Sequence, residues 1–249
     1  MDERPAVESI AEASKYTASA PAIAFAWSGA ALFVASLAFF LYAYLVRFGA
    51  PAPPGSWFPP AAVDVVLFSL FAVHHSLLAR APLKAQVGRF VGPSLERSTY
   101  TWIASALFVL VCWSWQPVPG TLYQLEQPWR SLAYGVQSAA VLLVGLSSRA
   151  LDVFDLAGIR PLMRARPEHV PLTTTGAYGI VRHPLYLGWA LLVFGAPDMT
   201  ATRAVFAAVS TGYCALAIPW EERGLVEVFG KGYDAYRKKV RWRMLPGLY

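Results

Sequence analysis

Apolar residues in this chain gather into long runs instead of alternating singly with polar ones. Six such segments stand out, at about 22–46, 62–79, 99–115, 131–151, 185–196 and 202–220. The first, PAIAFAWSGAALFVASLAFFLYAYLV, carries no charge and is long enough to cross about 30 Å of hydrocarbon with some tilt. It is too long for the apolar core of a signal peptide, and no small-residue cleavage site follows, so it is expected to be retained. The fifth, LYLGWALLVFGA, is a dozen residues, about 18 Å of helix. It is either a short span or half of a re-entrant hairpin with the sixth; both return the chain to the same side. The pattern predicts an all-α, polytopic transmembrane helical bundle of about six spans. Residues 1–20 are polar and read as a flexible tail. Residues 21–249 read as a single membrane domain. The Pro-rich loop APAPPGSWFPP is expected to be non-helical, with Trp57 and Phe58 suited to a membrane interface.

Composition sharpens this. Hydrophobic residues make up 56% and charged residues 14%, against roughly 25% charged in a soluble domain. Together with a mean hydropathy of +0.43, this excludes a disordered chain and counts against a soluble enzyme. Cys112 and Cys214, the only cysteines, both lie in apolar runs. That excludes a disulfide scaffold and a Cys-based zinc site, and no metal site is predicted. The net charge of +6 is unevenly placed. Counted between the apolar segments, one side of the membrane collects 18 Lys and Arg (2 in the N-terminal tail, 4 and 5 in two loops, 7 in the C-terminal tail) and the other 3. The positive-inside rule then puts both termini in the cytoplasm, in a bacterial inner membrane. The basic, aromatic stretch KGYDAYRKKVRWR reads as a short helix that lies on anionic headgroups or caps the cytoplasmic face. The expected partner is the lipid bilayer, with no nucleic acid and no obligate protein partner.

Polar residues in or beside spans are costly, so candidate chemistry is sought there. His74, His75 and Ser76 close the second segment; Glu96, Arg97 and Ser98 open the third; Asp152 and Asp155 follow the fourth. The segment TTTGAYGIVRHPLYLGW is the most specific. Pro184 suits the first turn of a helix, whose free N–H groups can receive an anion. Arg182 adds a fork for a carboxylate or phosphate. Tyr186 and Trp189 add aromatic faces, and Gly176, Gly179 and Gly188 let a ligand approach the backbone. Glu221 and Glu222 end an otherwise apolar helix. Adjacent side chains there point about 100° apart, so at most one acid faces the interior.

The pieces T-G-x-Y-x-x-V-R-H-P-x-Y-x-G (175–188) and E-E-R-x-L-x-x-x-F-G-x-x-Y-x-x-Y (221–236) resemble membrane methyltransferases related to isoprenylcysteine carboxyl methyltransferase. FAVHHSLLARAPLK, ERSTY, WSWQPVP and DVFDLAGIR narrow the resemblance to bacterial methanethiol S-methyltransferases and NnrU-like proteins. The chain departs from them in having His74 where that group often has Gln, Gly224 where an acid often follows E-E-R, and Pro219 just before the acids. The resemblance implies S-adenosylmethionine as methyl donor, bound within 170–240 by Tyr178, Arg182, His183, Tyr186, Gly188, Glu221 and Glu222. Arg182 and the helix start would take the donor's carboxylate, and Glu222, with Glu221 second, its diol or ammonium. The acceptor is expected to be a small apolar thiol, or another membrane-partitioning molecule. A thiol is mostly protonated at neutral pH, and His75 is the candidate base because histidine titrates nearest neutrality. A carboxyl or lipid methyltransferase, and a non-enzymatic NnrU-like membrane protein, are the alternatives.

Overall fold

A computed structural model describes residues 18–78, 81–162 and 171–249. The expected tail over 1–17, Arg80, Arg164, Arg166 and the start of the 170–240 region lie outside the described residues. The chain is mostly helical: α1 (Ala20–Leu45), α2 (Phe58–Leu78), α3 (Ala81–Val91), α4 (Glu96–Ser114), α5 (Trp129–Ser148), a single turn α6 (Val153–Leu156), α7 (Pro184–Phe194), α8 (Ala201–Phe229) and α9 (Lys231–Lys239). Each of the six apolar segments is a helix. Four of them, those beginning at Ala20, Phe58, Trp129 and Ala201, are long and apolar enough to cross a membrane. The other two fall short for different reasons. The first turns of α4 are polar, ERSTYT, and α7 has only 11 residues. Val34, Leu70, Leu110, Leu142 and Leu216 are among many large apolar side chains left exposed. So much outward apolar surface is what lipid, not water, tolerates. This is an all-α membrane protein.

Two boundaries differ from the sequence reading. Phe58, Pro59 and Pro60 are not loop but the first turn of α2, where missing N–H groups leave nothing unpaired. Helix α8 does not stop at the two acids: it runs through Pro219 to Phe229. Its extension is held because Leu225, Val226 and Phe229 pack on Tyr233, Tyr236 and Val240 of the following segment. The C-terminal basic stretch is therefore a cap on the bundle. Elements that were not expected are the amphipathic α3, the single turn α6 and a two-stranded antiparallel ribbon of β1 (Thr121–Gln124) and β2 (Asp198–Thr200).

The bundle has two distinct ends. At one, Arg47 donates to the carbonyls of Cys112 and Trp113, Asp64 accepts from Gln116 N at 2.8 Å, and Arg130 forks onto Asp198 at 2.7 and 2.9 Å. Arg203, buried at the start of α8, donates to the carbonyls of Tyr44 (3.0 Å), Leu45 (2.7 Å) and Asp198 (2.6 Å). It thereby caps the C-terminus of α1, where carbonyls lack helical partners. Beside this end Phe40, Tyr44, Phe48, Trp115 and Phe206 form an aromatic core. At the other end the segment after α5 folds back over the start of α4. Asp155 pairs with Arg97 and Asp152 with Arg160, so these acids are structural partners. Ser98 donates to Gly158 O at 2.8 Å and Thr101 to Leu156 O at 2.8 Å. The two C-terminal motifs, 175–188 and 221–236, gather at this second end, whereas WSWQPVP lies at the first.

Candidate active site

Pro184 opens α7 as expected, directly after Arg182 and His183. The two backbone amides just before it are not free for a ligand. Arg182 N donates to Trp242 O at 2.9 Å and His183 N to Arg243 O at 2.8 Å, so the residues after α9 already cap this helix start. The Arg182 side chain is similarly engaged. Its Nε donates to Glu222 Oε1 at 2.6 Å, and one Nη to the carbonyls of Val240 (2.7 Å) and Arg241 (2.9 Å). Arg182 and Glu222 form a buried ion pair that ties three chain segments together.

The two adjacent acids have different surroundings, as their helical offset requires. The Glu222 side chain is 8% exposed, that of Glu221 45%. Glu222 meets Arg182, His183 and, at 3.5 Å, Arg243. Glu221 accepts a hydrogen bond from the Tyr186 hydroxyl and lies 3.5 Å from His183 Nδ1. The His183 ring stacks on Tyr186, centroids 5.5 Å apart. One acid faces the interior, as expected: it is Glu222, and Glu221 is the more exposed of the two.

Two other expected contacts are packing features. A side chain on Gly188 would put its Cβ 2.7 Å from Val144 Cγ2 and 3.1 Å from Ala140 O. This glycine lets α7 approach α5 and leaves no room for a ligand. Tyr178 donates to Ser147 O at 3.2 Å, and its own carbonyl accepts from Tyr236. It staples the end of α5 to α9. Burial pushes the Tyr178 hydroxyl up, and that of nearby Tyr233 up to about 12, so both stay protonated at neutral pH.

The largest departure from sequence reasoning is a cavity of about 420 Å³ inside the bundle. Its polar lining includes His75, Tyr100, Tyr186 and Tyr213, with the smaller hydroxyls of Ser36, Thr101, Ser105 and Ser210; much of the remainder is aromatic, with Phe68, Phe71, Phe108 and Trp189 among its residues. His75 Nδ1 is 2.9 Å from the Tyr100 hydroxyl, which also lies 3.2 Å from His75 O. A phenol has one proton and a carbonyl can only accept. The assignment satisfying both contacts has Tyr100 donating to the carbonyl and Nδ1–H donating to Tyr100. His75 Nε2 then keeps its lone pair. Ser76 pairs with the Tyr213 hydroxyl at 2.9 Å. A second cavity of about 540 Å³, between α2 and α8, shares His75 and Tyr213 and includes Glu221 and Trp220. By contrast, neither ring nitrogen of His74 has a partner. Tyr100 and Tyr213 were invisible as site residues in sequence because helix rotation, not spacing, brings them to His75. Arg243 was missed too; its spacing from the motifs gave no signal.

The two motifs therefore meet in space at the mouth of an apolar chamber inside a membrane bundle, the arrangement of a membrane methyltransferase. No protein-family model and no solved structure matches the chain. Among named proteins it is 37% identical to the methanethiol S-methyltransferase of Crocosphaera subtropica, over 72% of each chain. It is 36% identical to methanethiol S-methyltransferase 2 of Bradyrhizobium diazoefficiens, over 75% of this chain and 73% of that one. A more distant likeness, 26% identity over 67% of this chain and 68% of the other, is to nurim of Sus scrofa. The chain belongs to the methanethiol S-methyltransferase family and is a methyltransferase.

Proposed function

We propose that the chain is an S-adenosylmethionine-dependent thiol S-methyltransferase of the bacterial inner membrane. Both termini and the donor site face the cytoplasm, and the six apolar helices all count as spans, α7 being short. The 18-to-3 distribution of Lys and Arg supports this sidedness. The observation that carries the reading is Tyr186. Its hydroxyl bonds Glu221 of the acidic pair, while it and His75 line the same apolar chamber.

The residues fit the donor. Glu221 offers an exposed carboxylate for its ammonium or ribose diol. The faces of Tyr186 and Tyr213 suit a sulfonium cation. Arg243, its side chain 36% exposed and beside Glu222, takes the donor's carboxylate, the role the sequence suggested for Arg182. Arg182, His183 and Glu222 hold this constellation in place. When bound, S-adenosylmethionine supplies an electrophilic methyl group. His75 Nε2 removes the acceptor thiol's proton, and Tyr100 fixes the imidazole in the required tautomer. The apolar chamber excludes water and concentrates a membrane-soluble thiol such as methanethiol.

The test is calorimetry with S-adenosylhomocysteine on detergent-purified protein, followed by headspace detection of dimethyl sulfide from methanethiol. Micromolar binding and product formation are expected. No binding at any concentration would favour a non-enzymatic membrane protein. Binding with methylation of a prenylcysteine carboxylate, but no thiol, would favour the carboxyl methyltransferase alternative.

A further inference from the structure

The chamber is far larger than the acceptor named for the relatives requires. A water molecule takes up about 30 Å³ of the liquid, and methanethiol has only two heavy atoms, so it needs on the order of twice that. The chamber holds about 420 Å³, within the roughly 300–1,000 Å³ of sites that enclose drug-sized ligands. Its shape is also informative. The tyrosine hydroxyls and the imidazole lie at one end, and beyond them the small hydroxyls of Ser36, Ser105 and Ser210 are set among aromatic rings. Phe68 stands two helical turns from His75 on α2, and Phe108 just over two from Tyr100 on α4, so the aromatic walls extend about 10–12 Å beyond the polar end. The donor's charges bar it from that depth. Leu37, also in the wall, is 41% exposed on the outer flank of α1, which gives access from the hydrocarbon.

We propose that this chain methylates apolar thiols several carbons larger than methanethiol, with aromatic thiols preferred because edge and face contacts with Phe71, Phe108 and Trp189 suit a ring. The inference rests on the thiol methyltransferase reading above. In the reaction the thiol sulfur bonds the methyl carbon as that carbon's bond to the donor sulfonium breaks. The S–H proton passes to His75 Nε2 and then to water. The products are the methyl thioether, the neutral donor thioether and one proton.

The test compares methanethiol, 1-hexanethiol and phenylmethanethiol as acceptors for the full chain in nanodiscs with S-adenosylmethionine. The kcat/KM for phenylmethanethiol is expected to exceed that for methanethiol by about tenfold or more, on the scale that added apolar groups contribute in a fitted pocket. Ala104→Leu and, separately, Ser105→Leu, which narrow the chamber, should each lower the phenylmethanethiol-to-methanethiol ratio of kcat/KM by about tenfold. Methylation of methanethiol with no turnover of either larger thiol overturns the inference and leaves the thiol methyltransferase reading standing. Turnover of no thiol at all overturns that reading, and the inference with it. An unchanged ratio in both variants also overturns it, because the larger thiols would then be bound elsewhere.

Discussion

Two buried arginines sit at opposite ends of the bundle, and they show how differently the ends are built. Arg203 is held by three backbone carbonyls from α1 and β2. Its charged neighbours are matched, Arg130 to Asp198 and Arg47 to the end of α4, although Arg203 and Asp198 also border a cavity of about 540 Å³. Arg182 is held by a carboxylate and two carbonyls. The polar groups next to it, however, open onto space: Glu221, Tyr186, His75 and Tyr213 all line cavities. A buried arginine marks architecture at both ends. What separates the ends is the kind of polar group on the cavities: beside Arg203 a guanidinium bonded at each nitrogen and an acid paired with Arg130, beside Arg182 hydroxyls, an imidazole and a half-exposed carboxylate.

The sharpest way to break this contrast is His75→Ala. Turnover should fall about 10²–10⁴-fold, with donor affinity and melting temperature nearly unchanged. The deficit should shrink as pH rises, because the thiolate then forms without help, and for acceptors of lower pKa. His74→Ala serves as the control; equal losses from both at every pH would make the pair a packing feature. At the Arg203 end, Arg203→Met removes the guanidinium from three buried or partly buried carbonyls. A stability loss of about 3–5 kcal/mol is expected, read as a large drop in thermal unfolding temperature in detergent. A near-normal transition would mean that α1 does not need its cap.

Smaller effects test the Arg182 end. Glu221→Gln and Arg243→Ala should each weaken S-adenosylhomocysteine binding about 10- to 150-fold, the loss of one charge-assisted contact of about 1.5–3 kcal/mol, with the fold intact. Glu222→Gln and Arg182→Ala should lower the melting temperature first, since each strands a buried partner. The reverse pattern in calorimetry and melting would return Arg182 to the ligand. The smallest effect is expected of Gly188→Ala. Its Cβ meets Val144 and Ala140, and overpacking of this kind costs about 1–3 kcal/mol, seen in melting while binding per folded molecule persists.

The six apolar helices were legible in sequence because a membrane demands uninterrupted apolar runs, but the end of α8 was missed by nine residues and the polar α3 was not read. The boundary errors came where tertiary contacts override local pattern, as at Phe58–Pro60 and beyond Glu222. The gathering of Arg182, His183, Tyr186 and the two acids was carried by their motifs. Their division of labour was not. Whether Glu221 or Glu222 meets the open space depends on the rotation of α8, and whether Arg182 is free depends on residues 240–243. The chamber was equally hidden, since it is the space left among five helices and belongs to no segment of sequence.

The bond from Arg182 to Val240 joins residues 58 positions apart, and it has a consequence for biosynthesis. Every apolar helix has left the ribosome before residues 240–243 can reach the guanidinium and cap the start of α7. A nascent chain that has passed Phe229 but not reached residue 240 has all its apolar helices, while Arg182 and His183 still lack those carbonyls. The contacts that fix Arg182 and His183 are therefore the last to form, after every apolar helix has been made.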